Sequence, residues 1–195
     1  RRTYLEYDAG TGTLSFYVEG TNVFNMTSTS VTALVEAIQQ GGGSVATNTA
    51  YGDNALDSNT TGASNTAIGD EALTANTTGA NNTALGASAL DANTTGAANT
   101  AVGAAALGGE TTGVNNTAVG KDALLTQAGA TGNTAVGKSA GDAITTGSNN
   151  TVVGLDAGGA LTTGASNVAV GKDALLVATT GAQNVAVGAT ALDAC

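Results

Sequence analysis

Asn65-Thr66-Ala67-Ile68-Gly69-Asp70-Glu71-Ala72-Leu73-Thr74-Ala75-Asn76-Thr77-Thr78-Gly79-Ala80-Asn81 is one unit of a repeat, and Asn82-Thr83-Ala84-Leu85-Gly86 begins the next. The period is 17 residues from 48 to 195, without insertion or deletion. Asparagine opens each of nine copies, at Asn48, Asn65, Asn82, Asn99, Asn116, Asn133, Asn150, Asn167 and Asn184, and glycine follows four residues later, from Gly52 to Gly188. Eight copies are whole; the ninth stops at Cys195. A fixed period of this length marks an architecture in which each copy buries its apolar face only by stacking on its neighbours.

Composition selects the kind of stack. A typical copy carries two glycines and a Thr-Thr pair, both poor helix material, and its apolar residues come in short bursts rather than at helical spacing. The pattern predicts an all-β fold, a parallel β-solenoid or β-roll, with two short strands and two tight corners per copy. Nine coils about 4.8 Å apart would make a rod roughly 40 Å long.

Each column of the repeat, numbered from its asparagine, can be assigned. Position four reads Tyr51, Ile68, Leu85, Val102, Val119, Val136, Val153, Val170 and Val187, and from Ile68 to Val187 it is assigned to the core. Position eight is alanine in all nine copies. Position nine is leucine except at Gly141 and Gly158, and in those two copies position twelve changes to Ile144 and Leu161, which conserves core volume. Positions six, seven, ten and eleven vary freely and are read as solvated, while position fifteen is a glycine corner expected to need positive φ. Only the fifth copy departs there, with Ala130 flanked by Gly129 and Gly132. The asparagine column is read as a ladder of stacked amides, the alternative being nine independent turn residues.

Position three is alanine in every copy but one, Val152. A core of valine, leucine and alanine is thin for a lone solenoid, so this alanine wall, with Ala118 and Ala135 at its middle, is assigned to contact between chains. A homotrimer is the expected state.

The first 47 residues are built differently, holding five of the six aromatics. Residues 1–29 read as a small antiparallel β-meander and attachment segment, with strands at Thr3–Tyr7, Thr13–Val18 and Asn22–Met26. Residues 30–40 read as one short helix, capped by Thr27–Ser30, with Val31, Leu34, Val35 and Ile38 on one face. That stripe either lies on the meander or packs against its own copies as a trimeric collar. Residues 41–47 are a glycine-rich linker to the solenoid of 48–195.

Charge and composition remove function classes. The net charge is −10, with no lysine or arginine between Thr3 and Gly120, which argues against nucleic-acid binding. The apolar runs are too short to insert in a membrane as a helix. With no histidine, one cysteine and acids scattered over variable corners, no catalytic residues, cofactor site or metal site are assigned, and the chain is not read as an enzyme. Cys195 is either an intermolecular bridge or an ordinary thiol. Triplets such as Asn76-Thr77-Thr78 follow from composition. Because the array stops in mid-copy, the native chain is expected to continue or to stack on another subunit.

Asn-Thr-Ala-Val-Gly at 99–103, 116–120 and 133–137 resembles the Asn-Ser-Val-Ala-Ile-Gly-type repeats in the heads of trimeric autotransporter adhesins, which form left-handed parallel β-rolls in threes. The whole run, with its Asn-Thr-Thr-Gly-Ala corners, looks still more like repeats in phage tail fibres and related virion appendages. Tyr4-Leu5-Glu6-Tyr7-Asp8 through Phe16-Tyr17-Val18-Glu19-Gly20 resembles strand-rich segments of such fibres. The resemblance implies a left-handed trimer on a virion, acting as a rigid spacer in host attachment. Its partners would be its own copies, other fibre or virion subunits and a host cell-surface receptor. A bacterial trimeric surface adhesin, extracellular, is the alternative. The threonines of position two, Thr49 to Thr151, raise a second alternative, an ice-binding solenoid.

Overall fold

The computed structural model describes residues 3–18, 21–27, 45 and 47–193. They belong to two compact units, divided after Ile38. The helix expected over 30–40, with Val31, Leu34, Val35 and Ile38, lies outside the described residues, as do most of the linker and Cys195.

In the first unit, strands β1 (Thr3–Asp8), β2 (Thr13–Val18) and β3 (Thr21–Thr27) form an antiparallel sheet in that order. Their bounds match the alternating runs of the sequence to within a residue. The β1–β2 turn is fixed locally: the Asp8 carboxylate accepts from the N–H of Gly10 at 2.8 Å and of Thr11 at 3.3 Å. Gly12, at φ +64°, completes the reversal. Hydrogen bonds from the Thr11 side chain first, then from the Gly10 and Thr11 backbone, hold the Asp8 carboxyl below the usual aspartate range.

The second unit is a parallel β-solenoid with a 17-residue coil. Nine strands, β4 (Thr49–Tyr51), β5 (Thr66–Ile68), β6 (Thr83–Leu85), β7 (Thr100–Val102), β8 (Thr117–Val119), β9 (Thr134–Val136), β10 (Thr151–Val153), β11 (Val168–Val170) and β12 (Val185–Val187), form one sheet in strict sequence order. Every pair is in register on the repeat, Thr117 on Thr134, Ala118 on Ala135, Val119 on Val136. Each coil has one strand of three residues, not the two expected. The reason is the backbone after the strand. Glycine at position five takes φ between +127° and +139°, and positions seven, nine and seventeen lie in the left-handed region, as at Glu71, Leu73 and Asn81. With the chain reversing this often, the rest of the coil consists of turns.

The turns are nevertheless stacked as firmly as the strands. Backbone bonds join successive coils around the circumference, among them Thr49 N–H to Asn65 C=O at 2.8 Å, Glu71 N–H to Asp53 C=O at 2.8 Å and Leu56 N–H to Ala72 C=O at 3.0 Å. Close stacking also explains the glycine of position fifteen. A Cβ at Gly62 would sit 2.2 Å from the carbonyl oxygen of Gly79 in the next coil, whereas its φ is not among the positive ones. Space, rather than the expected positive φ, excludes a side chain there.

Candidate functional site

The interior is lined by positions one, three, eight, nine, twelve and fifteen, and this reverses one pair of assignments made from sequence. Ala118 and Ala135, assigned to the contact wall, are fully buried within their own chain. Position four, assigned to the core, points outward. Ile68 is 37% exposed, Leu85 44%, Val136 37% and Val187 68%, and Val102, Val119, Val153 and Val170 are half-buried. The two columns were exchanged because bulk was equated with burial. The coil has a narrow lumen that the leucine of position nine and the amides of positions one and twelve nearly fill, so the facing strand can contribute only a methyl group. Strand alternation then forces position four out.

One residue in the sequence carried this information. Val152 is the only non-alanine at position three, and it falls in the copy whose position nine is Gly158. A Cβ added at Gly158 would lie 2.8 Å from Val152 Cγ1, so Val152 occupies the room of the missing leucine. The compensation between positions nine and twelve holds as expected: Ile144 and Leu161 are fully buried, and Ile144 Cδ1 lies 2.8 Å from the Cβ position of Gly141.

The asparagine column is buried and continuous, from Asn65 to Asn167. Its bonds run from side chain to backbone. Each Oδ1 accepts from the main-chain N–H of the next asparagine, as Asn99 from Asn116 at 2.9 Å, while each Nδ2 donates to the position-fifteen carbonyl of its own coil, as Asn116 to Ala130 at 2.8 Å. Amide-to-amide contacts along the column join Asn133, Asn150, Asn167 and Asn184. A true amide ladder runs instead at position twelve, where Asn76 donates to Asn59 and Asn93 to Asn76, each at 2.8 Å. Sequence reasoning missed it because Asn-Thr-Thr-Gly reads as a turn.

That second ladder ends at Glu110, a fully buried carboxylate. Elsewhere the N–H of position thirteen donates to the position-thirteen carbonyl of the next coil, as Thr60 to Thr77 at 2.9 Å. In the fourth coil the Glu110 Oε1 takes over. It accepts from Thr111 at 2.8 Å, Thr112 at 2.9 Å, Gly113 at 2.5 Å and, from the next coil, Gly129 at 2.9 Å. The Gln127 amide donates to Oε2 at 2.7 Å and accepts from Asn133 at 2.8 Å. The irregular Ala128–Gly132 stretch and Glu110 are therefore a single device, in which the loop gives up one acceptor and the carboxylate supplies another. Asn93 Oδ1, facing a neighbour with no N–H to offer, is the one buried side-chain oxygen without a partner among the described residues.

The surface falls into two parts. All charged residues of 48–193 sit at positions six, seven, ten and twelve, and none occurs at positions one to five or thirteen to seventeen. Lys121 pairs with Asp122 and Lys172 with Asp173 along the charged corner. Burial raises the carboxyls of Asp91 and Asp142 above the usual range, and Asp142 also feels Asp156 and Asp122. On the uncharged side the strands display two parallel columns outward, threonine at position two up to Thr151 with Val168 and Val185 after it, and Tyr51 followed by eight aliphatic residues at position four. An open depression on the last coils is lined by Leu175, Val177, Ala178, Thr179, Asn184 and Leu192, without a titratable group. Among the described residues no three His, Cys, Asp or Glu side chains converge as a metal site would require, and no helix is long and apolar enough to cross a membrane.

No family model matches the chain, and no curated protein or solved structure is significantly similar to it. The site must therefore be interpreted from its own geometry.

Proposed function

We propose that the protein is a structural segment of a phage or virus appendage, a trimeric spacer that holds attachment parts away from the particle. The observation that carries the reading is unbroken register: from β4 to β12 every strand pairs residue for residue with its equivalent, without a bulge. Length is then set by copy number alone. The columns of the charged corner do not preserve a pattern for gripping a ligand: position six runs Asp53, Asp70, Ala87, Ala104, Lys121, Lys138, Leu155, Lys172, Ala189. Variation along the charged corner and constancy inside are what selection for length and stiffness would leave.

Removal of one whole copy, residues 82–98, is the test. It should shorten the particle's fibre by about 4.8 Å with the remaining coils in register, and attachment to host should survive. Loss of attachment by a shortened but folded assembly would instead favour the bacterial adhesin head, in which the array itself binds. The juxtaposition of threonine and aliphatic columns on one outward face gives the ice-binding reading its support. Thermal hysteresis at micromolar protein would establish it, and its absence would end it.

A further inference from the structure

We infer that the outward face of the nine-stranded sheet is the seam at which three copies of this chain meet, parallel and in register, each position-four residue against its equivalents. The inference rests on the trimeric-spacer reading and names the surface that makes the trimer. One chain alone leaves nine successive apolar side chains on the outer face: Tyr51 and Val187 at the two ends are 61% and 68% exposed, Ile68, Leu85 and Val136 between 37% and 44%, and Val102, Val119, Val153 and Val170 half-buried. Nothing within the chain accounts for that constancy, whereas the solvated columns of the charged corner, positions six, seven and ten, vary freely.

Charge points the same way. The strand face, the glycine after it and the turn before it, positions one to five and thirteen to seventeen, hold no charged residue over the whole array, so covering the strand face itself removes no ion from water. The threonine hydroxyls at the margins can remain hydrated.

The repeat identifies the occupant. Rungs recur every 4.8 Å or so, and only a surface with the same spacing can engage all of them equally. A second copy of this chain has that spacing by construction, while a globular partner does not. The stripe is about 40 Å by 10 Å, so a two-chain contact buries on the order of 800 Å² in total, below the roughly 1,200 Å² of stable pairs. A closed ring of three gives every chain two neighbours, and cyclic closure makes the chains parallel. The side chains then meet in layers, with valines forming most of them and Ile68, Leu85 and Tyr51 a thicker end. Sliding one coil would leave Tyr51 unopposed, which holds the register.

The test uses the full chain. Val119 and Val136 both point outward, so Val119→Asp with Val136→Asp should leave the coil's circular dichroism unchanged yet convert the parent trimer into a monomer of 18.5 kDa by light scattering. A folded variant that remains trimeric overturns the seam but leaves the trimeric spacer standing. A parent protein that is itself a folded monomer overturns both. As a second measurement, Val119→Cys in a Cys195→Ser background should oxidise to a covalent dimer, whereas Lys121→Cys on the charged corner should not. Cross-linking at 121 and not at 119 refutes the assignment.

Discussion

Glu110→Ala should cut the solenoid at one place. The carboxylate accepts four main-chain N–H groups and one amide, and the chain offers no substitute, because the fifth coil has withdrawn the carbonyl that fills this role elsewhere. Water can reach Thr111, Thr112 and Gly129, which are part-exposed, but not the N–H of buried Gly113 or the Gln127 amide. Two buried protons lose their acceptor, the N–H of Gly113 and one of the Gln127 amide, whose nitrogen keeps only its 3.3 Å bond to the Ala130 carbonyl, at about 1–3 kcal/mol each. With the packing lost alongside, the total comes to about 3–5 kcal/mol. Since stability in a stacked array is a sum over neighbouring coils, the loss falls on the junction between the fourth and fifth and should separate residues 48–115 from 116–193 as two unfolding steps. Urea denaturation at fixed protein concentration would show the split, and amide exchange at Gly113 and Gly129 would locate it. Glu110→Asn should cost less, because it can donate to the orphaned Asn93 oxygen even though it is too short for Gly129. A loss under about 1 kcal/mol with unchanged protection at those two amides would refute the account.

Ala118→Leu overpacks the lumen and should cost the fold about 1–3 kcal/mol or more in thermal unfolding; if it changes only assembly, position three faces outward after all. Asn116→Ala removes the acceptor for Asn133 N–H and the donor to Ala130 C=O, at about 1–3 kcal/mol, and unchanged melting would favour independent turns. Asp142 has a raised folded pKa, so the folded chain holds that proton more tightly than the unfolded one, and stability falls as pH rises through the raised value. Asp142→Asn should therefore melt higher than the parent near pH 7 and equally near pH 3; the opposite ranking would show that the ionised carboxylate stabilises the fold.

The period, the meander strands and the exchange between positions nine and twelve were legible because each is a pattern in sequence alone. What was not legible was which side of a three-residue strand faces in, since alternation fixes the parity only once one residue is placed. Position three is alanine in all the other copies, and alanine is equally at home in a narrow lumen or on a tight contact. Only Val152 opposite Gly158 could have decided it. The second strand failed because αL turns leave no apolar signature of their own. The position-twelve ladder failed because a buried asparagine and a turn asparagine look alike until their partners are seen.

Leu56, Leu73, Leu90, Leu107, Leu124 and Leu175 all sit at φ between +52° and +57°, a conformation that costs a leucine roughly 1–2 kcal/mol. An isolated coil has nothing to hold it in that shape. A finished coil does, through the bonds and the leucine-shaped gap it presents, so each new coil forms on the template of the last. Assembly of the chain is then a zipper with a slow start, and a break in the template halts everything beyond it.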